Sequence, residues 1–185
     1  FLAAIAANPH DPVPPHWYAA NLLLPLGRWE EAERQLEQAR LLDPLSPAIN
    51  ATVALRYLLE GVVPEGIARL QDVLSYAGTF PMVHYFLGLG WLAGSDPARA
   101  GVSLREAVER TGGSPEAVSA LVVAHAGAGE QGEAERMLAR LEEMAARRYV
   151  SPTLVAQACT ALGRHDEAFV ALDRAVTEGA LDAVW

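Results

Sequence analysis

The side chains best suited to chemistry in this sequence are five histidines, His10, His16, His84, His125 and His165. No two of them stand at the spacing of an HExxH pair or of another metal site. His84 and His125 fall within expected helices, where a partly buried, hydrogen-bonded imidazole is the ordinary interpretation. His165, which precedes an Asp-Glu pair, marks a turn and a helix start. The histidines therefore predict no metal centre.

The single cysteine and a short glycine motif also favour structural roles. Cys159 stands midway along an expected helix among small apolar residues, which favours a buried, inert thiol. Gly88-Leu89-Gly90 is a fragment of a phosphate-loop pattern, but it falls inside a helix rather than after a strand, so close helix packing is favoured. Because no paired carboxylates or nucleophile–base pair emerge either, we expect a protein that is not an enzyme and needs no cofactor.

Charge narrows the possible partners. The formal net charge is -9, and all 14 basic residues are arginines. Nonspecific binding to nucleic acid or to an anionic membrane needs clustered positive charge, so we expect neither. The only basic concentration is interrupted by Glu142 and Glu143 and consists of Arg136, Arg140, Arg147 and Arg148.

Cysteine content and hydropathy bear on the compartment. One cysteine excludes an intramolecular disulfide framework, and no apolar run reaches the ~18 residues typical of a membrane-spanning helix. We therefore expect a cytoplasmic protein. The chain starts at Phe1 without an initiator methionine, and we expect a fragment or a processed product of a longer protein.

The elements that must position any functional side chain repeat every 34 residues. Such self-similarity at a fixed period is the signature of a repeat architecture. Four columns keep their character through five copies: Leu36, Leu70, Leu104, Leu138 and Leu172; Ala32, Gly66, Ala100, Ala134 and Ala168; Ala20, Ala54, Gly88, Val122 and Ala156; and the turn column Gly27, Gly61, Ser95, Gly129 and Gly163.

Each copy predicts two helices joined by the turn column. Proline suits a first helical turn because its missing N–H would have no partner there, and the first helices are expected to begin at Pro47, Pro81, Pro115 and, in the fifth copy, Ser151-Pro152. Helices of ~12–15 residues are marginal alone in water, so their apolar faces must be buried. Small residues let paired helices approach, and the leucines fill the space between pairs. The pattern predicts an all-α, right-handed solenoid of five stacked pairs.

This pattern resembles the tetratricopeptide repeat (TPR) family, most clearly in LGRWEEAERQLEQARLLDP (26–44) and GRHDEAFVALDRAV (163–176). Gly66 replaces the usual alanine and Ser95 the turn glycine, so we expect the second copy to be locally looser. The resemblance covers five copies at 13–46, 47–80, 81–114, 115–148 and 149–182. Residues 1–12 resemble the tail of a preceding truncated copy, with a partial N-terminal helix, and 183–185 form the C-terminal end.

The resemblance implies a concave groove lined by the first helices, which holds a protein or peptide segment. Trp17 and Tyr85 are its expected anchors, and Asn21 is expected to bond the peptide backbone. The alternative is that these side chains complete packing between helices, or lie under an upstream repeat. The carboxylate-clamp type of TPR groove is excluded, because only Asn21 fits it and the chain has no lysine. The candidate residues are Trp17, Asn21, Leu24, Leu55, Leu58, Tyr85, Leu89, Leu92, Ser119, Val123, Thr153 and Gln157.

Two functions follow from the resemblance. The first is a noncatalytic scaffold for protein–protein interaction. The second is an intramolecular regulatory module, because HWYAANLL, LLDPLSPAIN, HYFLGLG and RRYVSPTLVAQACTALGRHDEAF resemble TPR regions of bacterial signalling proteins with a winged-helix, cyclase or kinase domain. Self-association through the apolar ends of a truncated array is also expected.

Overall fold

The computed structural model describes residues 1–180 and contains helices but no strand in that range. The all-helical prediction is therefore confirmed. A π-helical segment, Ala19–Leu23, follows the second of the α-helices, which are α1 Leu2–Ala7, α2 Val13–Tyr18, α3 Trp29–Leu42, α4 Pro47–Leu59, α5 Val63–Ala77, α6 Pro81–Ala93, α7 Pro97–Arg110, α8 Pro115–Gly127, α9 Gln131–Arg147, α10 Pro152–Ala161 and α11 His165–Glu178.

The helices fall into two compact units, residues 1–94 and the residues from Ser95 onward. In the first unit, α4 packs against α3, α5 and α6, and α5 also contacts α6. In the second unit, α8 packs against α7, α9 and α10, and α10 also contacts α9 and α11. We call α2, α4, α6, α8 and α10 first helices, and α3, α5, α7, α9 and α11 second helices.

The first helices begin where the sequence predicts. Ser114 caps α8, because its hydroxyl accepts a hydrogen bond from the Ala117 amide at 3.2 Å. Ser46 holds the same position before α4, but its side chain makes no capping bond. The helices α4, α6, α8 and α10 start at Pro47, Pro81, Pro115 and Pro152.

The turn column adopts a left-handed backbone in every copy. Its four glycines have φ between 65° and 81°, and Ser95 has φ 58°. This conformation costs a residue other than glycine roughly 1–2 kcal/mol. Ser95 therefore makes the same turn as the glycines, but with backbone strain.

We expect Ser95→Gly to raise the free energy of unfolding by about 0.5–1 kcal/mol, because relief of the strain exceeds the entropic cost of glycine. Chemical denaturation measures this change. The matched exchange is Gly61→Ser, since Gly61 has φ 81° and open space around an added Cβ, and it should lower stability by a similar amount. If neither exchange moved the denaturation midpoint, the strain would not exist.

The leucine column forms the centre of the core. Leu36, Leu70, Leu104 and Leu138 are at most 1% exposed. Leu70 of α5 lies in one buried cluster with Val83 and Leu87 of α6, so it fills the space between successive helices as predicted. Leu172 departs from the column and is 44% exposed, because no helix follows α11 within residues 1–180.

The first helix of the first copy is not a continuous α-helix. In the π-helical segment the Leu24 amide donates to the Ala19 carbonyl, five residues back, at 2.9 Å. Such a segment accommodates one extra residue in a helix. Positions before it are therefore 35 residues from their equivalents in the second copy, and Ala19 and Ala54 are both fully buried. Ala20 is partly exposed, so its predicted alignment with Ala54 is wrong.

Candidate functional site

The predicted first-helix candidates are partly accessible in the first unit. The helices α4 and α6 contact each other, and a step of 34 residues relates Leu55 to Leu89. Tyr85, Leu89 and Leu92 follow one another at i, i+4 and i+7, so they share one side of α6. We call Leu55, Tyr85, Leu89 and Leu92 the first-helix surface; each keeps part of its area exposed.

Leu58 is a packing residue rather than a groove residue. A Cβ added to Gly66 would lie 2.8 Å from Leu58 Cγ, and one added to Gly90 would lie 3.3 Å from Leu58 Cδ2. Both glycines are buried, and the leucine occupies the space that they leave. Because the core stays filled, the expectation of a looser second copy is wrong.

Gly66→Ala should lower the free energy of unfolding by about 1 kcal/mol. The overlap with Leu58 outweighs the helix propensity that alanine gains. In a Leu58→Ala background the same exchange should raise stability by about 1 kcal/mol, since the methyl group fills part of the new cavity. A double-mutant cycle by denaturation measures this coupling, and a coupling energy below about 0.5 kcal/mol would contradict the contact.

The π-helical segment moves Trp17 away from its predicted place. With the offset of 35 residues, His16 takes the position that Ala51 and Ser119 hold in later copies. His16 is buried, which lowers its pKa, and its Nε2 lies 2.9 Å from Thr52 Oγ1. Trp17 is 50% exposed, but it lies one residue, or about 100° around the helix, from that position.

The other two candidates on this helix are unsuited to the predicted role. Leu24 is only 3% exposed and belongs to the core of the first unit. Asn21 is exposed, and its amide donates to the Trp17 carbonyl at 3.3 Å. Leu24 is therefore not accessible to a partner, and Asn21 already bonds its own helix.

The candidates of the second unit are more polar, and one of them is buried. Ser119 has no exposed surface. Its hydroxyl donates to the Leu154 carbonyl at 2.8 Å and lies 3.3 Å from Gln157 Oε1. These contacts join α8 to α10 and make Ser119 inaccessible to a partner. Val123 and Thr153 are half-buried, and Gln157 is exposed.

The remaining chemistry-bearing residues are engaged within the protein. His84 donates to the Gly78 carbonyl at 2.8 Å, and His125 Nδ1 donates to Glu130 at 2.5 Å. Cys159 is buried, and burial raises the pKa of its thiol. Within residues 1–180, no group of three or more His, Cys, Asp or Glu side chains is placed to hold a metal ion.

Sequence reasoning missed a set of cavities on the second-helix side. Each lies between two successive second helices and above the first helix that separates them in the chain. They measure about 220 Å³ between α3 and α5, about 420 Å³ between α7 and α9, and about 350 Å³ between α9 and α11. None of the predicted groove residues lines them. The available signal was the repeat itself, since a step of 34 residues takes Leu121 and Arg140 of one lining to Val155 and Arg174 of the next.

Comparison with known families gives one match. The sequence model described as "Tetratricopeptide repeat" matches residues 13–38 and 115–140. The two matches begin three steps of 34 residues apart, so the period found in the sequence relates them. None of the curated proteins compared with the chain is similar enough to count as a relative.

Solved structures of TPR proteins share the fold. TTC0263, a thermophilic TPR protein of Thermus thermophilus, is 19% identical with a TM-score of 0.75, over 91% of this chain and 93% of that chain. YrrB, described as a TPR protein with an unusual peptide-binding site, is 22% identical with a TM-score of 0.58, over 95% and 90%. A chain of the APC/C hetero-tetramer Cut9-Hcn1 is 15% identical with a TM-score of 0.73, over 95% and 35%. At such low identities, the likeness shows the fold alone. None of the helices within residues 1–180 combines the length and apolar character that crossing a bilayer requires.

Proposed function

We propose, on the premise that this chain is a tetratricopeptide repeat protein, that it is a noncatalytic scaffold for protein–protein interaction. It binds a peptide or protein segment on its first helices. The observation that supports this function is the first-helix surface, whose four apolar side chains stay accessible on two adjacent helices. Aromatic and aliphatic anchors on ordered helices are a common means of peptide recognition.

The proposed contact has a defined centre. Tyr85 supplies a large, rigid contact area, and aromatic residues dominate the binding energy of many interfaces. Leu55 and Leu89 lie beside it on equivalent positions of α4 and α6, so an extended or helical segment can cover all three. The peptide-binding site in the description of YrrB supports the class of function, and we carry over no residue from that protein.

The scaffold function predicts a capture that depends on Tyr85. The immobilised chain is compared with its Tyr85→Ala and Tyr149→Ala variants, because Tyr149 is 67% exposed and lies outside the first-helix surface. We expect one or more proteins from a lysate of the source organism to bind the unmodified chain and Tyr149→Ala, and to be lost with Tyr85→Ala. Equal capture by all three forms would count against binding on this surface.

An intramolecular regulatory role is the second candidate, and it rests on the stretches that resemble TPR regions of bacterial signalling proteins. A cytoplasmic location, self-association through the ends and the division of 13–182 into five copies belong to the same proposal. In this case the partner is another domain of the parent chain. Tyr85→Ala in the parent protein would then change the output of that domain, whereas Tyr149→Ala would not.

A further inference from the structure

We infer that the two cavities on the second-helix side of the second unit bind an extended, acidic peptide of a partner protein. A carboxylate side chain occupies the α7–α9 cavity, and an aliphatic side chain occupies the α9–α11 cavity. We call the pair the second-helix groove. It shares no residue with the first-helix surface, so the two surfaces are independent.

The α7–α9 cavity presents positive charge that the protein leaves uncompensated. Three arginines line it, and Arg136 pairs with Glu133. Within residues 1–180, Arg105 and Arg140 form no ion pair with a carboxylate. Ten of the other arginines do form one, namely Arg28, Arg40, Arg56, Arg69, Arg99, Arg110, Arg136, Arg147, Arg164 and Arg174.

The acidic groups of this lining leave an excess of positive charge. Glu130 is engaged with His125 and Glu133 with an arginine, so Glu109 is the carboxylate that remains. One unpaired carboxylate stands against the guanidinium groups of Arg105 and Arg140. An incoming carboxylate restores the balance, and charge-assisted hydrogen bonds from arginine to carboxylate are among the stronger polar contacts.

The position of Arg140 is held by the loop between α7 and α8. Gly113 in that loop has φ 90°, and a Cβ added there would overlap the Arg140 guanidinium. The absent side chain therefore lets the guanidinium lie against the backbone. Arg148 donates to the Gly113 carbonyl at 3.2 Å, which fixes the loop further. A cation restrained in this way loses less conformational freedom when it binds an anion.

The α9–α11 cavity has the opposite character. Its centre is apolar, with Val155, Val170 and a buried thiol, and Val170 is 71% exposed. An aliphatic side chain that enters it removes apolar surface from water. Glu142 and Asp166 lie in the same lining and disfavour a second carboxylate. The acidic residue of the peptide is therefore directed to the arginines of the first cavity.

The spacing of the cavities defines the peptide further. Both cavities border α9, so their centres lie about one helix–helix distance apart, roughly 8–10 Å. An extended chain advances about 3.3 Å per residue. The aliphatic residue should therefore stand about three residues from the acidic one.

The test is an NMR titration of the full chain with acetyl-Glu-Glu-Gly-Ala-Leu-amide. We expect shifts at residues that line the two cavities, and a dissociation constant at least about tenfold higher for Arg105→Gln/Arg140→Gln. The matched charge control is Arg34→Gln, an arginine of the first unit that also has no carboxylate partner. Val170→Ser should weaken binding, whereas Val102→Ser, at a valine on α7 that is 58% exposed, should not.

Two results would overturn the inference. One is equal binding of the peptide in which both glutamates are replaced by glutamine. The other is equal weakening by Arg34→Gln and by the double arginine variant, because nonspecific attraction to basic groups would then suffice. Failure of the Tyr85-dependent capture would leave this titration unaffected, since Tyr85 lines neither cavity.

Discussion

Leu104→Ala is expected to lower the free energy of unfolding by about 3–5 kcal/mol, whereas Leu172→Ala lowers it by less than about 1 kcal/mol. The two leucines hold equivalent positions in the repeat. Leu104 is fully buried and Leu172 is 44% exposed. Truncation removes the same methyl groups in both variants, but only the first leaves a cavity. Burial, and not sequence position, should decide the loss.

Chemical denaturation followed by circular dichroism measures both variants. Repeat proteins do not always unfold in a single step, so the transition of each variant is compared with that of the unmodified chain over the full curve. Leu138→Ala, also fully buried, should reproduce the large effect. Similar losses for Leu104→Ala and Leu172→Ala would contradict the packing described for the second unit.

Glu60→Gln is expected to lower the free energy of unfolding by about 2–3 kcal/mol. The Arg56 side chain is 8% exposed, and it bonds Glu60 at 2.6 Å and Glu33 at 3.1 Å. Its guanidinium also lies 4.3 Å from the centre of the Tyr57 ring. Glu33 is 60% exposed and compensates a buried charge poorly. Loss of the Glu60 charge therefore leaves a buried cation without its main partner.

The control is an ion pair of the same spacing on the next helix. Glu65 and Arg69 are 2.8 Å apart and each nearly half exposed, so Glu65→Gln should cost less than about 0.5 kcal/mol. Adding Arg56→Met to Glu60→Gln should recover part of the stability, because the unpaired charge is then removed. A double variant that is less stable than Glu60→Gln alone would show that another contact causes the loss.

The repeat and its helices could be predicted from the sequence because the same physical demand recurs in each copy. Proline at the start of α4, α6, α8 and α10 and leucine at the centre of the core satisfy local rules that need no distant partner. The turn column also declared itself, since only a left-handed backbone requires glycine there. Even Ser95 adopts that backbone, so the repeat prevails over the preference of one residue.

The candidate site was harder to predict because it depends on one-residue offsets and on pairs of side chains. Ala19 and Ala20 are both small, so steps of 34 and of 35 residues each reach a small residue, and the π-helical segment stayed hidden. Trp17 lost its predicted position for that reason. Leu58 looked accessible by repeat position, but the glycine at 66 gives it a buried place to pack.

The second-helix cavities could not be predicted from any one helix. Each lining combines residues of three helices, and their types change from copy to copy. Arg140 and Arg174 are equivalent by repeat position, yet Arg174 pairs with Glu178 and Arg140 has no such partner within residues 1–180. Whether an arginine is compensated depends on side-chain contacts that the 34-residue pattern does not encode.

Photo-crosslinking in the source organism tests the scaffold function most directly. Benzoylphenylalanine is placed at Leu89 of the first-helix surface, and at Tyr149 as the control. We expect a discrete adduct with another protein from position 89 only. An adduct within the parent chain would identify the intramolecular partner instead, and the absence of any adduct specific to position 89 would contradict binding on the first helices.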